Sequence, residues 1–175
     1  IPSSFIQWND PVIVFLDGRI GIAKSTVNPV GLLGQANIDV DRSNGPGRDY
    51  VYVLASVKRR SNSDPGDVMF SKSTDGGLNW SPAIRINDDP SVINTQWFGT
   101  MSVAPNGRID IVWLDTRDAP FGSDSSALYY SWSYDQGKNW SVNEKLSVSF
   151  DPHLGYPNQN KMGDYFDMVS ENSGV

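Results

Sequence analysis

Eleven residues, Ser71-Lys-Ser-Thr-Asp75-Gly-Gly-Leu-Asn-Trp80-Ser81, return sixty positions later as Ser131-Trp-Ser-Tyr-Asp135-Gln-Gly-Lys-Asn-Trp140-Ser141. Serine, aspartate, glycine, asparagine and tryptophan hold the same places in both copies. A fixed period of this kind indicates a repeated supersecondary unit. The sequence therefore predicts two similar structural units that follow each other along the chain.

Each copy has the form Ser-x-Asp-x-Gly-x-x-Trp, which predicts a tight turn between two strands. The aspartate can accept backbone N–H bonds inside the turn, and the glycine can adopt a positive φ. The tryptophan can fold back into the gap between neighbouring sheets. A structural role is therefore predicted for eight residues: Ser73, Asp75, Gly77, Trp80, Ser133, Asp135, Gly137 and Trp140.

Short runs of β-branched and aromatic residues, separated by turn residues, predict eight strands in two groups of four. The chain has 16 Gly and 11 Pro, and no long stretch has a helical apolar period. Four antiparallel strands in each repeat are typical of a propeller blade. The predicted fold class is all-β, a β-propeller of four-stranded antiparallel blades. Its strands are expected at residues 36–40, 50–57, 67–73 and 83–87 of one blade and 100–104, 109–114, 127–133 and 144–147 of the next.

The two repeated stretches resemble the Asp-boxes, or BNR repeats, of the sialidase superfamily, which join the third and fourth strands of propeller blades. The resemblance begins near Ala36 and includes residues 81–89, 101–118 and 162–166, as in bacterial secreted sialidase-like proteins. It implies a ring of six or more blades and a location outside the cell, either secreted or at the cell surface. It also implies a glycan or an extracellular protein as the partner.

The predicted blades divide the chain into four parts. Two and a half blades would leave open sheet edges, so the chain is expected to be a piece of a larger propeller that the rest of its parent chain completes. Residues 1–35 are the end of a preceding blade, with its outer strand at 12–15, and a linker. Residues 36–99 and 100–163 are one blade each. Residues 164–175 are the start of another blade, with a strand at 166–170.

Composition narrows the classes of partner and cofactor. The formal net charge is -6 and the 14 Lys and Arg residues are scattered, which argues against nucleic acid. No apolar run approaches the roughly 18 residues that a membrane-spanning helix needs. The chain has no Cys and one His, which argues against metal sites built from thiolates or from several histidines. No cofactor is expected on these grounds.

One segment is similar to a calcium-binding loop. In Asp39-Val-Asp-Arg-Ser-Asn-Gly45, however, the glycine comes one position late, and Tyr50 stands where such a loop has its glutamate. A tight polar turn is the favoured interpretation, and calcium is the alternative. No other metal site is predicted.

Strand direction predicts which loops share a face. If each innermost strand runs from the top of the ring to the bottom, the repeated turns lie at the bottom, and residues 58–66, 88–99, 115–126 and 151–164 collect at the top. These loops carry charged and aromatic residues of the types that bind sugars. The predicted substrate-binding residues are Arg59, Trp97, Phe98, His153 and Tyr156.

The resemblance also implies what a catalytic member would need: three arginines around the substrate carboxylate, a tyrosine nucleophile activated by a glutamate, and an aspartate as general acid and base. The Arg-Ile-Pro motif that precedes the first Asp-box in the family is absent here. The candidates in this chain are Arg117 for one arginine, Asp115 or Asp164 for the carboxylic acid, and Tyr165 for the nucleophile.

Each candidate has a structural alternative. Asp115 and Arg117 would form an ion pair at the end of a strand, and Tyr165 would pack at the mouth of its strand. Two functions therefore stay open. The favoured one is a sialidase-like propeller that binds a glycan or a protein or serves as a surface scaffold. The alternative is an exo-sialidase or other glycoside hydrolase whose remaining catalytic residues lie outside this chain.

Overall fold

The computed structural model describes residues 9–20, 25–29, 31–154 and 161–173. Within these ranges the chain forms β-strands and no helix, so none that could span a membrane. The strands are β1 (Gly18–Arg19), β2 (Asn37–Val40), β3 (Val51–Arg59), β4 (Asp67–Ser73), β5 (Ile84–Arg85), β6 (Gln96–Val103), β7 (Ile109–Asp115), β8 (Ala127–Ser133) and β9 (Glu144–Lys145).

The strands form two antiparallel sheets, each with its strands side by side in chain order. The first sheet contains β2, β3, β4 and β5, and β1 pairs with β3 beyond the end of β2. The second sheet contains β6, β7, β8 and β9. The prediction of an all-β chain with two groups of four antiparallel strands is confirmed.

The two outer strands occur where they were expected, but they are shorter. Beyond β5, the side-chain oxygen of Asn87 accepts a hydrogen bond from Val68 N at 2.9 Å. Beyond β9, the hydroxyl of Ser147 accepts one from Leu128 N at 2.8 Å. Because a side chain replaces the backbone partner in both sheets, the ladder ends there.

Two predicted positions are wrong. β6 begins at Gln96 rather than at residue 100, because Trp97 and Phe98 belong to the buried strand and not to the preceding loop. Residues 12–15 form no strand, and Ile13 and Phe15 are exposed. That segment has no neighbouring strand among the described residues with which its backbone could pair.

The main core lies between the two sheets. Residues from β3 and β4 pack against residues from β6 and β7, and alternate positions along these strands point into this layer. The contributing side chains include Tyr52, Leu54, Val68 and Phe70 from the first sheet and Met101, Ile109, Ile111 and Trp113 from the second. Sheets that pack face to face in this way form neighbouring blades.

The inner edges of the two sheets lie side by side. Asn37 Nδ2 in β2 donates to the Gly99 carbonyl in β6 at 3.1 Å, and Val103 N donates to Asp39 Oδ2 at 2.8 Å. Residues 166–170, predicted as a strand, pair with no described strand but run beside β6. There Thr100 Oγ1 donates to the Phe166 carbonyl at 3.2 Å. Three segments, namely β2, β6 and residues 166–170, therefore lie one beside the next along the side of the molecule that corresponds to the axis of a propeller.

Candidate functional site

The repeated stretches form two turns with the same internal hydrogen bonds. In the first, Ser73 Oγ donates to Asp75 Oδ1 at 2.7 Å, and Asn79 Nδ2 donates to Asp75 Oδ2 at 2.7 Å. The bonds from Asn79 and Ser73 lower the pKa of Asp75 to about 2. The polar groups of the turn thus bind one another.

The second turn repeats this arrangement. Ser133 Oγ donates to Asp135 Oδ1 at 2.9 Å, and Asn139 Nδ2 donates to Asp135 Oδ2 at 2.6 Å. Burial opposes the charge of Asp135, but the bonds from Asn139 and Ser133 prevail and lower its pKa to about 2. Both turns lie at one end of the sheets, which we call the turn end.

A buried polar network lies at the opposite end, which we call the loop end, where β3 and β7 finish and β4 and β6 begin. Arg59 Nη1 donates to Asp67 Oδ2 and Arg59 Nε to Asp17 Oδ2, both at 2.7 Å. Burial opposes the charge of Arg59, but its hydrogen bonds to both carboxylates raise its pKa. Arg59, predicted to bind substrate, therefore joins a loop to a strand end.

The network crosses from one sheet to the other. Asn87 Nδ2 lies 2.7 Å from Asp67 Oδ1 and 2.9 Å from Gln96 Oε1. Gln96 Nε2 donates to Asp115 Oδ1 at 3.1 Å. Asp64 is also buried at this end, and burial raises its pKa to about 6. The network ties the strand ends of two neighbouring sheets together.

Arg117 ends this network. Its Nε donates to Asp115 Oδ2 at 2.9 Å, Nη1 to Asp88 Oδ1 at 2.6 Å and Nη2 to Asn143 Oδ1 at 3.0 Å. The guanidinium also stacks on Tyr129, 4.4 Å from the ring centroid. Burial opposes its charge, but the bond to Asp115 raises the pKa of Arg117. A ligand carboxylate would have to displace Asp88 or Asn143, which favours the ion-pair alternative.

The two aromatic residues predicted to bind sugar in a loop are buried in β6. Trp97 is 0% exposed and its Nε1 donates to Ser126 Oγ at 3.1 Å, whereas Phe98 is 3% exposed. Their rings pack against each other with centroids 4.5 Å apart. Neither offers an open face to a pyranose ring, so this part of the prediction is corrected.

His153 and Tyr156 are the remaining residues predicted to bind substrate, and both are distant in sequence from the loop-end network. His153 Nε2 lies 2.7 Å from the Thr26 carbonyl, and its Nδ1 lies 3.2 Å from Asp151 Oδ1. Tyr156 lies outside the described residues. His153 thus connects its own loop with the loop that contains Thr26. It is one of the five residues that the sequence predicted to bind substrate.

The segment with similarity to a calcium loop uses its carboxylates within the protein. Asp41 Oδ1 accepts from Ser43 N at 2.8 Å, and Asp39 Oδ1 accepts from Val40 N at 2.7 Å. Among the described residues, no group of three or more His, Cys, Asp or Glu side chains could hold a metal ion. The geometry is that of the tight polar turn.

A pocket of about 230 Å³ opens at the inner edges of the sheets, and we call it the axial pocket. It is lined by residues 34–37, 98–100 and 165–167, one set from each of the three inner segments. The register of β6 shifts between Trp97 and Thr100, and Phe98 adopts a φ of 55°. Such a bulge redirects the strand at the pocket wall, and backbone strain of this kind occurs often at functional sites.

The axial pocket combines an aromatic ring with polar groups. Tyr165 is 67% exposed, and the carboxylate of Asp167 is also exposed. Gln35, Asn37 and Thr100 also line the pocket. Asn37 Nδ2 donates to the Gly99 carbonyl, and the buried Thr100 hydroxyl donates to the Phe166 carbonyl. None of the residues that line the pocket is Lys or Arg.

The axial pocket contains some of the predicted residues and omits others. Phe98 and Tyr165 line it, whereas Asp164 precedes it in sequence and pairs with Lys161 Nζ at 2.6 Å. The prediction missed four polar lining residues: Gln35, Asn37, Thr100 and Asp167. Their position at the start of successive innermost segments is the signal that could have found them. The other described candidates, Arg59, Trp97, Asp115, Arg117 and His153, do not line it.

No family model and no curated protein matches this chain. Among solved structures, an α-L-arabinanase of Penicillium chrysogenum complexed with arabinobiose has a TM-score of 0.50 and 17% identity over 66% of this chain and 31% of that chain. A Hadza microbial sialidase has a TM-score of 0.48 and 19% identity over 71% and 28% of the two chains. The chain thus spans about a third of the length of each. The likeness to the arabinanase concerns the fold alone, and it confirms the predicted propeller fold.

Proposed function

We propose that this chain is part of an extracellular propeller that binds a carbohydrate in the axial pocket. The observation that carries the proposal is the composition of the pocket wall. The exposed residues Tyr165 and Asp167 line it together with the amide residues Gln35 and Asn37, which come from a different segment. Aromatic faces with a few convergent polar groups are the usual means of binding a sugar ring and its hydroxyls.

The size of the pocket supports a small unit as the ligand. Pockets for drug-sized molecules measure about 300–1,000 Å³. At about 230 Å³ the axial pocket is smaller, which suits one sugar ring of a glycan whose other units extend outward. Inner segments of further blades would complete the wall in the full ring.

We assign the other candidate residues to holding the blades. The donors of Arg117 are directed at Asp115, Asp88 and Asn143, so this arginine joins the two sheets. We also propose that the two repeated turns are structural Asp-boxes, because their serine, aspartate and asparagine side chains bond within each turn.

Hydrolysis of a glycan is the second candidate function. It is favoured by one observation, the presence of Tyr165 and the Asp167 carboxylate in the same wall, with Asp164 next to them in the chain. A phenol beside carboxylates supplies a nucleophile and an acid of the kind that glycoside cleavage requires. Further catalytic groups would then come from residues outside this chain.

Glycan binding by the full-length protein tests the proposal. We expect a glycan array to find a ligand and titration calorimetry to measure its affinity. Replacing Tyr165 by Ala should lower that affinity about tenfold, because a lost aromatic contact is worth about 1.4 kcal/mol. Tyr134 is the matched control, since it is 66% exposed but belongs to the turn end. Its replacement by Ala should leave the affinity unchanged.

Three outcomes separate the possibilities. An empty array, or equal effects of Tyr165→Ala and Tyr134→Ala, contradicts carbohydrate binding in the axial pocket. If the protein cleaves fluorogenic glycosides and the Tyr165→Phe variant does not, the function is hydrolysis and the axial pocket is its site. Binding without cleavage supports the proposal as stated.

A further inference from the structure

The charge of the axial pocket points to the class of sugar that it takes. Its wall carries the exposed carboxylate of Asp167 and no basic side chain among the described residues. We infer that the pocket selects a neutral sugar unit and discriminates against acidic sugars, sialic acid included. This inference rests on the proposed function, because it concerns the ligand of the same pocket.

The arginines of the loop-end network are not available to neutralise an acidic ligand. Arg59 bonds to the carboxylates of Asp17 and Asp67, and Arg117 bonds to Asp115 and Asp88. Both side chains are largely buried. An acidic sugar would have to displace one of these carboxylates from its arginine and so break an existing ion pair.

Three further basic residues of this region do not line the axial pocket. Arg85 Nη2 donates to the Asp89 carbonyl at 2.9 Å, and Arg60 lines a separate groove beside Trp80. Lys161 Nζ contacts Asp164 Oδ1 at 2.6 Å, so this pair adds no net charge next to the pocket. In the part of the wall that the described residues form, the Asp167 carboxylate is therefore the charge without a basic partner.

A neutral sugar fits this wall better than an acidic one. Its hydroxyls can donate to the Asp167 carboxylate, and hydrogen bonds to an ionised acceptor are stronger than neutral ones. The Tyr165 ring offers an apolar face to the C–H groups of the sugar ring. A carboxylate on the sugar would replace a donor by a second negative charge, and two like charges at short range repel.

Matched pairs of glycosides test the inference in the full-length protein. We would compare methyl glucoside with methyl glucuronide, methyl galactoside with methyl galacturonide, and N-acetylneuraminic acid as a third acid, by competition against the array ligand. The neutral member of the preferred pair should bind about tenfold more tightly than its acid. Asp167→Asn should reduce this difference to about threefold or less, because the charge is lost while the size is kept. Asp49→Asn, an exposed carboxylate at the turn end, is the control and should leave the difference unchanged.

The outcomes distinguish this inference from the proposed function. Acidic sugars that bind as tightly as their neutral counterparts, or a difference that Asp167→Asn leaves intact, overturn the inference while carbohydrate binding stands. Failure of every glycoside, together with an empty array, overturns both. A neutral preference that depends on Asp167 supports both.

Discussion

The two copies of the repeated turn have the same internal structure but different neighbours. Each tryptophan lies on the same side of its own sheet. In the second copy another sheet occupies that side, and Trp140 packs edge-on against Phe70 with ring centroids 5.1 Å apart. In the first copy, Trp80 packs against a cluster that includes Met69 of its own sheet, and among the described residues Leu16 and Val14 of the preceding segment belong to the same group.

This difference separates what the turn sequence determines from what the fold determines. The bonds of Asp75 and Asp135 agree because serine, aspartate and asparagine are close in sequence in both copies. The burial of the tryptophans depends on residues that are distant in sequence. The turn is therefore a local unit, whereas its anchor is a property of the contact between blades.

The largest effect that would sharpen this comparison is the loss of a tryptophan. Trp140→Ala should lower the free energy of unfolding by about 3–5 kcal/mol, because the indole lies between two sheets. Trp80→Ala should cost about 1–2 kcal/mol, since its indole has a sheet on one side only. Urea unfolding followed by circular dichroism measures both values.

The indole nitrogens provide a control within the same pair. Trp80 Nε1 donates to the Gly77 carbonyl at 3.0 Å, whereas Trp140 Nε1 is buried with no partner. At each site we compare the stability lost on Trp→Phe with that lost on Trp→Ala. The Phe replacement should cost a smaller fraction of the Ala loss at Trp140 than at Trp80, because only Trp80 loses a hydrogen bond. Equal losses for Trp80→Ala and Trp140→Ala would contradict the role of the neighbouring sheet.

The turn glycines should show a smaller difference of the same sign. Both have positive φ, +92° at Gly77 and +74° at Gly137. A Cβ at Gly137 would lie 2.7 Å from Phe70 Cε1, but at Gly77 the nearest atom is Trp80 Cζ2 at 3.9 Å. Gly77→Ala should cost about 1 kcal/mol from the backbone alone, and Gly137→Ala about 2–4 kcal/mol with the clash added.

A double substitution tests the cause of that difference. Phe70→Leu removes the ring atoms that a new Cβ at position 137 would meet, so it should relieve part of the cost of Gly137→Ala in a double-mutant cycle. The same change should not alter the cost of Gly77→Ala. Additive costs at both glycines would show that the contact with Phe70 does not matter.

Sequence reasoning succeeded where the information is local. The repeat predicts the turns, and the short runs of β-branched and aromatic residues predict the long central strands, because both depend on neighbours in the chain. It failed at Trp97 and Phe98, since aromatic residues at the buried start of a strand resemble aromatic residues of a binding loop. Burial, which distinguishes the two, depends on distant segments.

The candidate site shows the same limit. The sequence singled out Tyr165 by residue type, but it missed Asn37, Thr100 and Asp167, because the three inner segments meet only in the fold. It also left the role of Arg117 open, since its partner Asp88 belongs to a different part of the chain. When several segments each contribute a few residues to a pocket, no single segment has a sequence pattern that reveals the pocket.

The smallest expected effect concerns the turn carboxylates in acid. The folded protein lowers the pKa of Asp75 and of Asp135 from 3.8 to about 2. Each ionised carboxylate therefore contributes stability that is fully present above pH 3.8 and is lost as the pH falls towards 2. Asp75→Asn and Asp135→Asn should each flatten the dependence of the unfolding free energy on pH between 2 and 4, and Asp135→Asn more so because Asp75 is more exposed.

Asp64 supplies the control for this pH series because its shift has the opposite sign. Burial raises its pKa to about 6, so its contribution to stability is full below pH 3.8 and is lost as the pH rises through 6. Asp64→Asn should flatten the curve between pH 4 and 7 and leave the acid limb as it is in the wild type. Chemical unfolding at half-unit steps from pH 2 to pH 7 resolves the two limbs. If the turn variants changed the upper limb, or if Asp64→Asn changed the lower one, the local character of the turns would be refuted, because their carboxylates would then be coupled to the loop-end network.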